Sequence, residues 1–390
     1  MSITVLSGSP LVATPVYNKM LYKVSGSLIA QPNYRYVCDV KNPAGTTLAR
    51  LKCDKLPTTN FGFFDVQKVV ETLIAPTAPS LTQTGFVDHS GFYSGYRLDF
   101  TQEYGNTPAV TGATTTVSGV MAFAGNLEQL ERADWSLDTY FRFGNTFTLV
   151  RPLTTPTDFT VYQGGSNFLA INGTKYVAAG FDSWLASARV NYKSVNYDFA
   201  VSPSLSGTTD FNIQRFACGP AQLSGSIPDL SGAVEGDSYT VRFVSNASSQ
   251  SPPTTFTFGP CERFDSIPVH FVNKYGGIDS YTFTMKNRKR ANIQREVFGY
   301  NSDVYATTTY NKVWAGSFDF VYALNSDWLT DAESEWLIEM VRSGYVWLEL
   351  NGQLVEAVVN ANQYQFVTRR NDRLTQLQLE VAVAYDNNIL

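Results

Sequence analysis

Short stretches in which apolar and polar residues alternate recur along most of this chain. A period of two is typical of β-strands that bury one face. Glycine, proline and asparagine separate the stretches, as turn residues do between strands. The clearest stretch lies near the C-terminus, where the alternating apolar positions are Leu377, Leu379, Val381, Val383 and Tyr385. The pattern predicts a mainly β fold of β-sandwich or barrel-like sheets with a few short helices.

Helical signals are fewer, and each comes with a capping residue. Asp65 is the predicted N-cap of a first short helix, and residues 126–135 predict a brief second one. Further along, Thr330 and Glu333 form a capping box, and Gly344 follows as the residue expected to end that helix. We expect these helices to pack on the sheets.

Two hairpins are predicted in the C-terminal third. Strands at 269–272 and 280–285 are joined by a turn at 273–277. The dipeptide Asn351-Gly352, which favours tight hairpin turns, joins the next two alternating stretches. The C-terminal region is therefore expected to be a β-sandwich opened by the first hairpin and closed by the last strand.

The length of 390 residues exceeds what one hydrophobic core usually holds, so two or three domains are expected. Residues 101–118, rich in threonine, glycine and alanine, are predicted to be an exposed loop or arm and mark a candidate boundary. We predict an N-terminal β domain with one helix at 1–100, an aromatic β-rich middle domain or insertion at 101–260, and a C-terminal β-sandwich with the capped helix at 261–390.

The composition indicates a folded protein with a charge-poor surface. Hydrophobic residues make up 44% of the chain, aromatic residues 14% and charged residues only 16%. A surface of this kind is expected to be partly covered by partners. The formal charge of -5 gives no general attraction for nucleic acid or for an anionic membrane.

No membrane insertion is expected, because no apolar run approaches the roughly 20 residues that a spanning helix needs. The N-terminal stretch lacks the basic start and apolar core of a secretory signal. We therefore expect synthesis in the cytoplasm.

The four cysteines are not spaced like zinc ligands, and buried free thiols are the first expectation. Cys38 and Cys53 lie on consecutive predicted strands, and a disulfide between them is an alternative, as is one between Cys218 and Cys261. The sequence alone does not give the Cα separation that a disulfide requires.

Nucleophilic catalysis with a histidine base would have to use His89 or His270, since the chain has two histidines. His270 falls in an alternating strand and is expected to be a half-buried structural residue, whereas His89 is expected in a surface loop. We predict no catalytic, cofactor-binding or metal-binding residue, and we expect the chain not to be an enzyme. A carboxylate pair for glycoside cleavage stays an alternative, because such pairs form only in the folded chain.

One local cluster of positive charge stands out after the first predicted hairpin. Aromatic neighbours at Tyr281, Phe283 and Phe298 would let it stack nucleic-acid bases, as in single-strand binders. The other interpretation is a solvated or subunit-facing loop, with the carboxylates of a partner as its complement. The candidate contact surface consists of Lys286, Arg288, Lys289, Arg290 and Arg295.

Four stretches also carry a likeness to a known group: NYRYVCDV at 33–40, FGFFDVQKVVETLI at 61–74, VHFVNKYGGIDSYTFTM at 269–285 with the basic segment after it, and LTDAESEWLIEMVRSGYVWLE at 329–349. They resemble virion structural proteins encoded by phages and prophages of Bacteroidetes-type hosts. The shared motifs are structural, so the resemblance transfers no catalytic residue. It implies a protein that is made in the host cytoplasm and located in the virion.

The order of elements resembles a second, broader group. A sheet, a capped helix and two hairpins that end in a long strand are similar to the tail-tube and distal-tail family, whose β-sandwiches close into rings around a DNA channel. The resemblance implies tail-tube-like units, a homo-oligomeric ring, contacts with other virion proteins, and a contact with DNA in the lumen.

The expected function is that of a non-enzymatic virion component of the tail, tail tip or connector. The alternative is a host-recognition or head-surface protein, such as a spike or decoration protein, that grips a cell-surface glycan or receptor through aromatic loops at 86–96 or 162–176. A surface glycan hydrolase and a nucleic-acid-binding protein are further alternatives.

Overall fold

The computed structural model describes residues 3–6, 13–133, 151–174, 176–178, 181–201, 211–246, 250–260, 264–300, 310–360, 375–383 and 387–389. Within these residues the chain is mainly β with a few short helices, which confirms the predicted fold class. The stretch YQFVT at 364–368, a further predicted strand, lies outside the described residues.

The strands of the described part are, in chain order, β1 Thr4–Val5, β2 Ala13–Pro15, β3 Leu21–Ser25, β4 Arg35–Lys41, β5 Thr47–Asp54, β6 Gly62–Asp65, β7 Gly85–Asp88, β8 Tyr93–Tyr104, β9 Ala109–Phe123, β10 Asp158–Val161, β11 Phe168–Asn172, β12 Tyr176–Ala178, β13 Phe181–Ser183, β14 Leu185–Tyr192, β15 Val195–Ala200, β16 Ile213–Ala217, β17 Ser238–Ser245, β18 Thr254–Phe258, β19 Ile267–Val272, β20 Ile278–Phe283, β21 Arg288–Tyr300, β22 Tyr310–Leu329, β23 Val346–Leu350, β24 Gln353–Val359, β25 Thr375–Val383 and β26 Asn387–Ile389. The helices are α1 Gln67–Glu71, α2 Gln129–Ala133, α3 Pro220–Leu223 and α4 Asp331–Arg342, with a 3₁₀ helix at Pro228–Gly232.

Two sheets form a first sandwich from the N-terminal strands. The sheet β1-β3-β6 faces the sheet β2-β9-β8-β4-β5 across an aromatic core. Between the sheets, the hydroxyl groups of Tyr22 and Tyr96 lie 2.8 Å apart in a buried hydrogen bond. The rings of Tyr22 and Phe64 both pack on Phe100, with centroid distances of 6.0 and 5.8 Å. Buried aromatic rings therefore hold these two sheets together.

The first sandwich extends beyond residue 100. Residues 101–118, predicted as an exposed loop or arm, belong instead to the antiparallel strands β8 and β9. The prediction missed β9 because most of its side chains before Val120 are exposed, so no apolar alternation marks this strand. Strand β7 leaves this region and joins a sheet with β11 and β16.

A second sandwich is formed by the sheet β11-β16-β7 and the sheet β10-β18-β17-β14-β15. Its core contains Phe216, whose ring lies 5.0 Å from Phe86 and 6.5 Å from Phe243 between centroids. Strands β12 and β13 form a separate two-stranded sheet.

The C-terminal strands form one large sheet with the order β20-β19-β23-β24-β25-β22-β21, and β26 also pairs with β22. The predicted hairpin β19–β20 is confirmed. So is the tight turn between β23 and β24, where Asn351 and Gly352 have φ angles of 52° and 73°. Such positive angles are the ones that a type I′ turn requires.

Helix α4 begins as the sequence predicts. The Thr330 hydroxyl accepts a hydrogen bond from the Glu333 backbone N–H at 3.2 Å, and the Glu333 carboxylate accepts one from the Thr330 N–H at 2.9 Å. The buried Trp336 ring packs against Phe271 of β19 and Phe159 of β10, at 5.8 and 5.5 Å. This helix therefore joins the C-terminal sheet to the second sandwich.

The other two predicted helices begin later than expected. Helix α1 begins at Gln67 with Val66 at its N-cap, while Asp65 ends β6. The Asp65 carboxylate still accepts a hydrogen bond from the Gln67 N–H at 3.2 Å. Helix α2 covers Gln129–Ala133, so Asn126 lies before it and not at its cap.

Among the described residues, none of the helices combines the length and the apolar character that a membrane crossing needs.

Replacing Thr330 by alanine is expected to lower the free energy of unfolding by about 1 kcal/mol, because the helix loses a side-chain cap. Thr330→Ser, which keeps the hydroxyl, is the matched control and should lose less than half as much. Urea unfolding followed by tryptophan fluorescence measures both variants. Equal losses in the two variants would contradict the role of the capping box.

Candidate functional site

The predicted contact surface lies mainly on a strand and not in a loop. Lys286 precedes β21, whereas Arg288, Lys289, Arg290 and Arg295 lie within it. All five side chains are exposed. Because successive side chains of a strand point to opposite faces, the cations of β21 are divided between its two sides. They do not form one basic patch.

Two of these cations have neighbours within the sheet. The Lys289 ammonium lies 3.7 Å from the centroid of the Phe320 ring, a cation–π contact. The Arg290 guanidinium donates to Glu380 of β25 at 3.1 Å. Both contacts fasten β21 to the neighbouring strands, although exposed contacts of this kind contribute little stability each.

The aromatic residues proposed for base stacking are packed inside the protein. Phe283 is fully buried, and Tyr281 packs edge-on against Trp336 at 6.1 Å. The side chain of Phe298 lies outside the described residues. The described aromatics therefore give no stacking platform beside the cations.

The aromatic loop proposed for glycan or receptor binding at 86–96 is also largely buried. Phe86 packs in the second sandwich, while Phe92 and Tyr96 are buried in the first. In the second proposed loop, 162–176, Phe168 is buried and the side chain of Tyr176 lies outside the described residues.

The predicted surface position of His89 is wrong. Its side chain is buried, and the ring stacks on Phe92 with 3.5 Å between centroids. Burial first, and then the charge of Arg215, lowers the pKa of His89 well below its usual range. The imidazole is therefore neutral near pH 7 and packs as an apolar ring.

His270 lies between a serine and a glutamate, the residue types of a catalytic triad, but each faces the ring nitrogen opposite to the one that a triad uses. Its Nδ1 lies 2.8 Å from the Ser280 hydroxyl, and its Nε2 lies 3.4 Å from the Glu349 carboxylate. However, Ser280 is the cross-strand partner of His270 between β19 and β20, and its side chain is buried. A nucleophile in that position is closed to substrate, so the arrangement satisfies a buried imidazole.

The expectation of a half-buried His270 is corrected as well, because its side chain is fully buried. Strand β19 lies between β20 and β23, and the ring of Phe168 covers His270 edge-on at 5.7 Å. The residues that bury His270 come from parts of the chain that are distant in sequence.

Cys38, Cys53 and Cys218 are free thiols, so the alternative of a Cys38–Cys53 disulfide is wrong. Cys38 pairs with Leu51 and Cys53 with Tyr36, which sets the two thiols at different register positions of β4 and β5. Cys261 lies outside the described residues. Within the described part, no group of three or more histidine, cysteine, aspartate or glutamate side chains is arranged to hold a metal ion.

A fully buried carboxylate, which the sequence analysis did not identify, lies at the centre of the C-terminal half. Asp279 of β20 accepts hydrogen bonds from Trp336 Nε1 at 2.8 Å, Asn273 Nδ2 at 2.9 Å and the Thr154 hydroxyl at 2.9 Å. Burial first, and then the nearby Glu339 carboxylate, raises the pKa of Asp279 to about 7, although the three donors act in the opposite direction.

A second partly buried carboxylate lies one helical turn from Trp336. Glu339 accepts hydrogen bonds from the Thr155 hydroxyl at 2.6 Å and from the Lys274 backbone N–H at 3.1 Å. Burial raises its pKa as well. Glu339 and Asp279 together fasten α4 and the segment before β10 to the β19–β20 turn.

A cleft of about 400 Å³ opens beside this group, where the first sandwich meets the C-terminal sheet. We call it the junction cleft. Segments distant in sequence form its walls: α1, the residues after β9, the β19–β20 turn, and the end of α4 with the residues that follow it. The side chains that define it are Tyr17, Glu71, Asn126, Glu339, Arg342 and Tyr345.

The pKa of Asp279 predicts an unusual dependence of stability on pH. The folded protein keeps this proton up to about pH 7, whereas the unfolded chain releases it near the usual pKa of 3.8. The contribution of Asp279 to the free energy of unfolding therefore falls as pH rises from about 4 to about 7, by about 4 kcal/mol at most. Asp279→Asn cannot release a proton, so urea unfolding at several pH values should show a much smaller decline in the variant, where only the raised pKa of Glu339 still contributes, than in the natural protein.

Asp99→Asn is the control for a different pH range. Burial alone would raise the pKa of Asp99, but hydrogen bonds from Lys41, Thr116 and Arg97 lower it to about 2. Its stabilisation is therefore lost only as pH falls from about 4 towards 2. This variant should keep the decline between pH 4 and 7. A decline of equal size in Asp279→Asn would contradict the assignment.

No protein-family model matches this chain, and no curated protein matches it. Among solved structures, the chain is similar to the "fibronectin(III)-like modules" of Clostridium thermocellum CbhA, at 8% sequence identity and a TM-score of 0.16. That match covers 66% of this chain and 93% of the other. A likeness at this TM-score carries no argument about fold or function.

Proposed function

We propose that this chain is a non-enzymatic structural protein of a phage particle, a component of the tail, tail tip or connector. It associates with copies of itself in a ring and docks neighbouring virion proteins. The host cytoplasm is the place of its synthesis and the virion its final location. The observation that carries the proposal is the long hairpin of β21 and β22, whose first strand is exposed on both faces.

The exposed side chains of β21 favour contact with a partner. Every side chain from 288 to 297 is exposed, including the apolar residues Ile293 at 52% and Val297 at 59%. Strand β21 is the edge strand of the C-terminal sheet, and its exposed apolar side chains are left in contact with water. Covering the exposed half of one such side chain contributes on the order of 1 kcal/mol. A neighbouring subunit packed on the hairpin of β21 and β22, which we call the arm, would cover these side chains.

The hairpin of β8 and β9 supports the same interpretation. Within the described residues, β2 borders the outer edge of β9 only at residues 121–123. The chain from 104 to 127 contains no charged residue, so the rest of this edge carries none of the charges that commonly protect edge strands. At the opposite edge of the same sheet, β5 carries Arg50, Lys52 and Asp54. The uncharged edge therefore suits the addition of a strand from another subunit.

Among the described residues, the buried environments of His89 and His270 fit a structural function. His89 is packed against Phe92, and the Ser280 hydroxyl is enclosed between strands with His270. An assembly function needs neither group to reach a ligand.

Replacing both Ile293 and Val297 by lysine is expected to weaken self-association at least tenfold, about 1.4 kcal/mol, because the contact then buries two charges. The control is Leu130→Lys, a charge placed on a side chain that is 85% exposed on α2, away from the arm. Sedimentation velocity over a range of concentrations measures association, and negative-stain electron microscopy shows whether rings form.

Two results would refute the proposal. One is a natural protein that stays monomeric at every concentration and is missing from purified particles. The other is an equal effect of the arm variant and of Leu130→Lys on the association constant.

A further inference from the structure

We infer that the junction cleft is a binding site for a neutral saccharide of one or two pyranose rings. Its volume of about 400 Å³ falls within the range of about 300–1,000 Å³ that is usual for small-molecule sites. One chain supplies all its walls, so the inference does not depend on the proposed ring.

The charges of the cleft already neutralise one another. Lys274 pairs with Glu131 at 2.6 Å and lies 3.8 Å from Glu339. At the rim, Arg342 pairs with Glu128 at 2.9 Å. A charged ligand would have to compete with these pairs, whereas a neutral one leaves them intact.

Glu71, on the opposite wall, is also paired. Its Oε2 accepts a hydrogen bond from Lys68 at 2.8 Å within α1. The cleft therefore offers carboxylate oxygens as hydrogen-bond acceptors without a strong net charge, and hydroxyl groups are suitable donors for them.

Aromatic rings supply the apolar part of the site. Tyr17 and Tyr345 lie on the cleft wall, and both side chains are half-buried. The ring of Tyr345 is held in place by Trp347, with which it stacks at 6.4 Å between centroids. Burial first, and then the neighbouring Tyr345, raises the pKa of Tyr17, so its phenol is uncharged near pH 7. A pyranose ring has an apolar C–H face that packs on such rings and a rim of hydroxyl groups.

The cleft combines these groups on rigid elements. Glu339 is fixed by hydrogen bonds from the Thr155 hydroxyl and the Lys274 backbone N–H, and the Asn126 backbone N–H donates to the Lys274 carbonyl at 2.8 Å. Acceptors held in place in this way need little ordering when a ligand binds. Aromatic faces, an amide and neutralised carboxylates in one cleft match a neutral saccharide better than a phosphate or a peptide carboxylate.

Four neutral disaccharides test the inference on the full chain: maltose, cellobiose, lactose and N,N′-diacetylchitobiose. We expect saturable binding of at least one of them, with a Kd on the order of 1 mM or tighter, in calorimetry and in saturation-transfer NMR. Methyl glucuronide should bind no more tightly than methyl glucoside, because the cleft has no uncompensated positive charge.

Gly344→Trp is the blocking variant. Gly344 lines the cleft, and a Cβ at this position would meet open space, so a large ring is added at the cleft wall without displacing the backbone. We expect affinity to fall at least tenfold. The matched control is Gly225→Trp, since Gly225 is exposed, also faces open space and lies after α3 outside the cleft. Its affinity should stay within about twofold of the natural protein.

Glu71→Gln is a second, milder variant, which should weaken binding several-fold by removing a charged acceptor. The inference is overturned if none of the four disaccharides saturates the protein at about 20 mM, or if Gly344→Trp binds as tightly as Gly225→Trp. Preference for the glucuronide would also overturn it. Binding measured on the Ile293→Lys, Val297→Lys variant separates this result from any failure of self-association.

Discussion

The buried carboxylate of Asp279 is the constraint on which the C-terminal half depends. A buried carboxyl group without hydrogen-bond partners is costly whether or not it carries its proton, so its partners have to be in place in the folded chain. The three donors come from Thr154, Asn273 and Trp336, which belong to the segment before β10, to the β19–β20 turn and to α4. Apolar side chains around them tolerate repacking, but a hydrogen-bonded group tolerates one arrangement.

This constraint also sets the position of the junction cleft. Asn273 uses its Oδ1 to accept hydrogen bonds from the N–H groups of Tyr275 and Gly277, which shapes the β19–β20 turn. On α4, Glu339 lies three residues after Trp336, so both side chains face the same turn. The end of the helix and the residues after it are thereby fixed against the first sandwich, and the space that remains between them is the cleft.

Local signals in the sequence were enough to predict the elements that depend on local physics. The Thr330–Glu333 capping box, the turn at Asn351 and Gly352 and the alternation of 377–383 each act over a few residues, and each is confirmed. Strands β9 and β21 were missed for one shared reason. A strand exposed on both faces has no apolar alternation, so one resembled a threonine-rich loop and the other a basic loop.

The candidate site was beyond sequence reasoning for another reason. The partners of Asp279 are 57 and 125 residues away along the chain at Trp336 and Thr154, and no local pattern records such distances. One weak signal was present: Glu339 lies beside the buried stripe of α4, where an acid has to find partners. The burial of His89 and His270 depended in the same way on layers contributed by other parts of the chain.

The distribution of charge connects the fold with the proposed assembly. In the first sandwich Asp39 and Asp99 lie directly opposite each other on β4 and β8, a repulsive pair that Arg50 and Lys41 neutralise at 2.6 Å each. Charged groups are thus used in pairs on the outer face of this sheet and around the cleft, in a chain where they make up only 16% of the residues. The hairpin edge at β9 is left uncharged as a result. In the proposed assembly the uncharged edge of β9 is the surface that loses least solvation when a neighbouring subunit covers it.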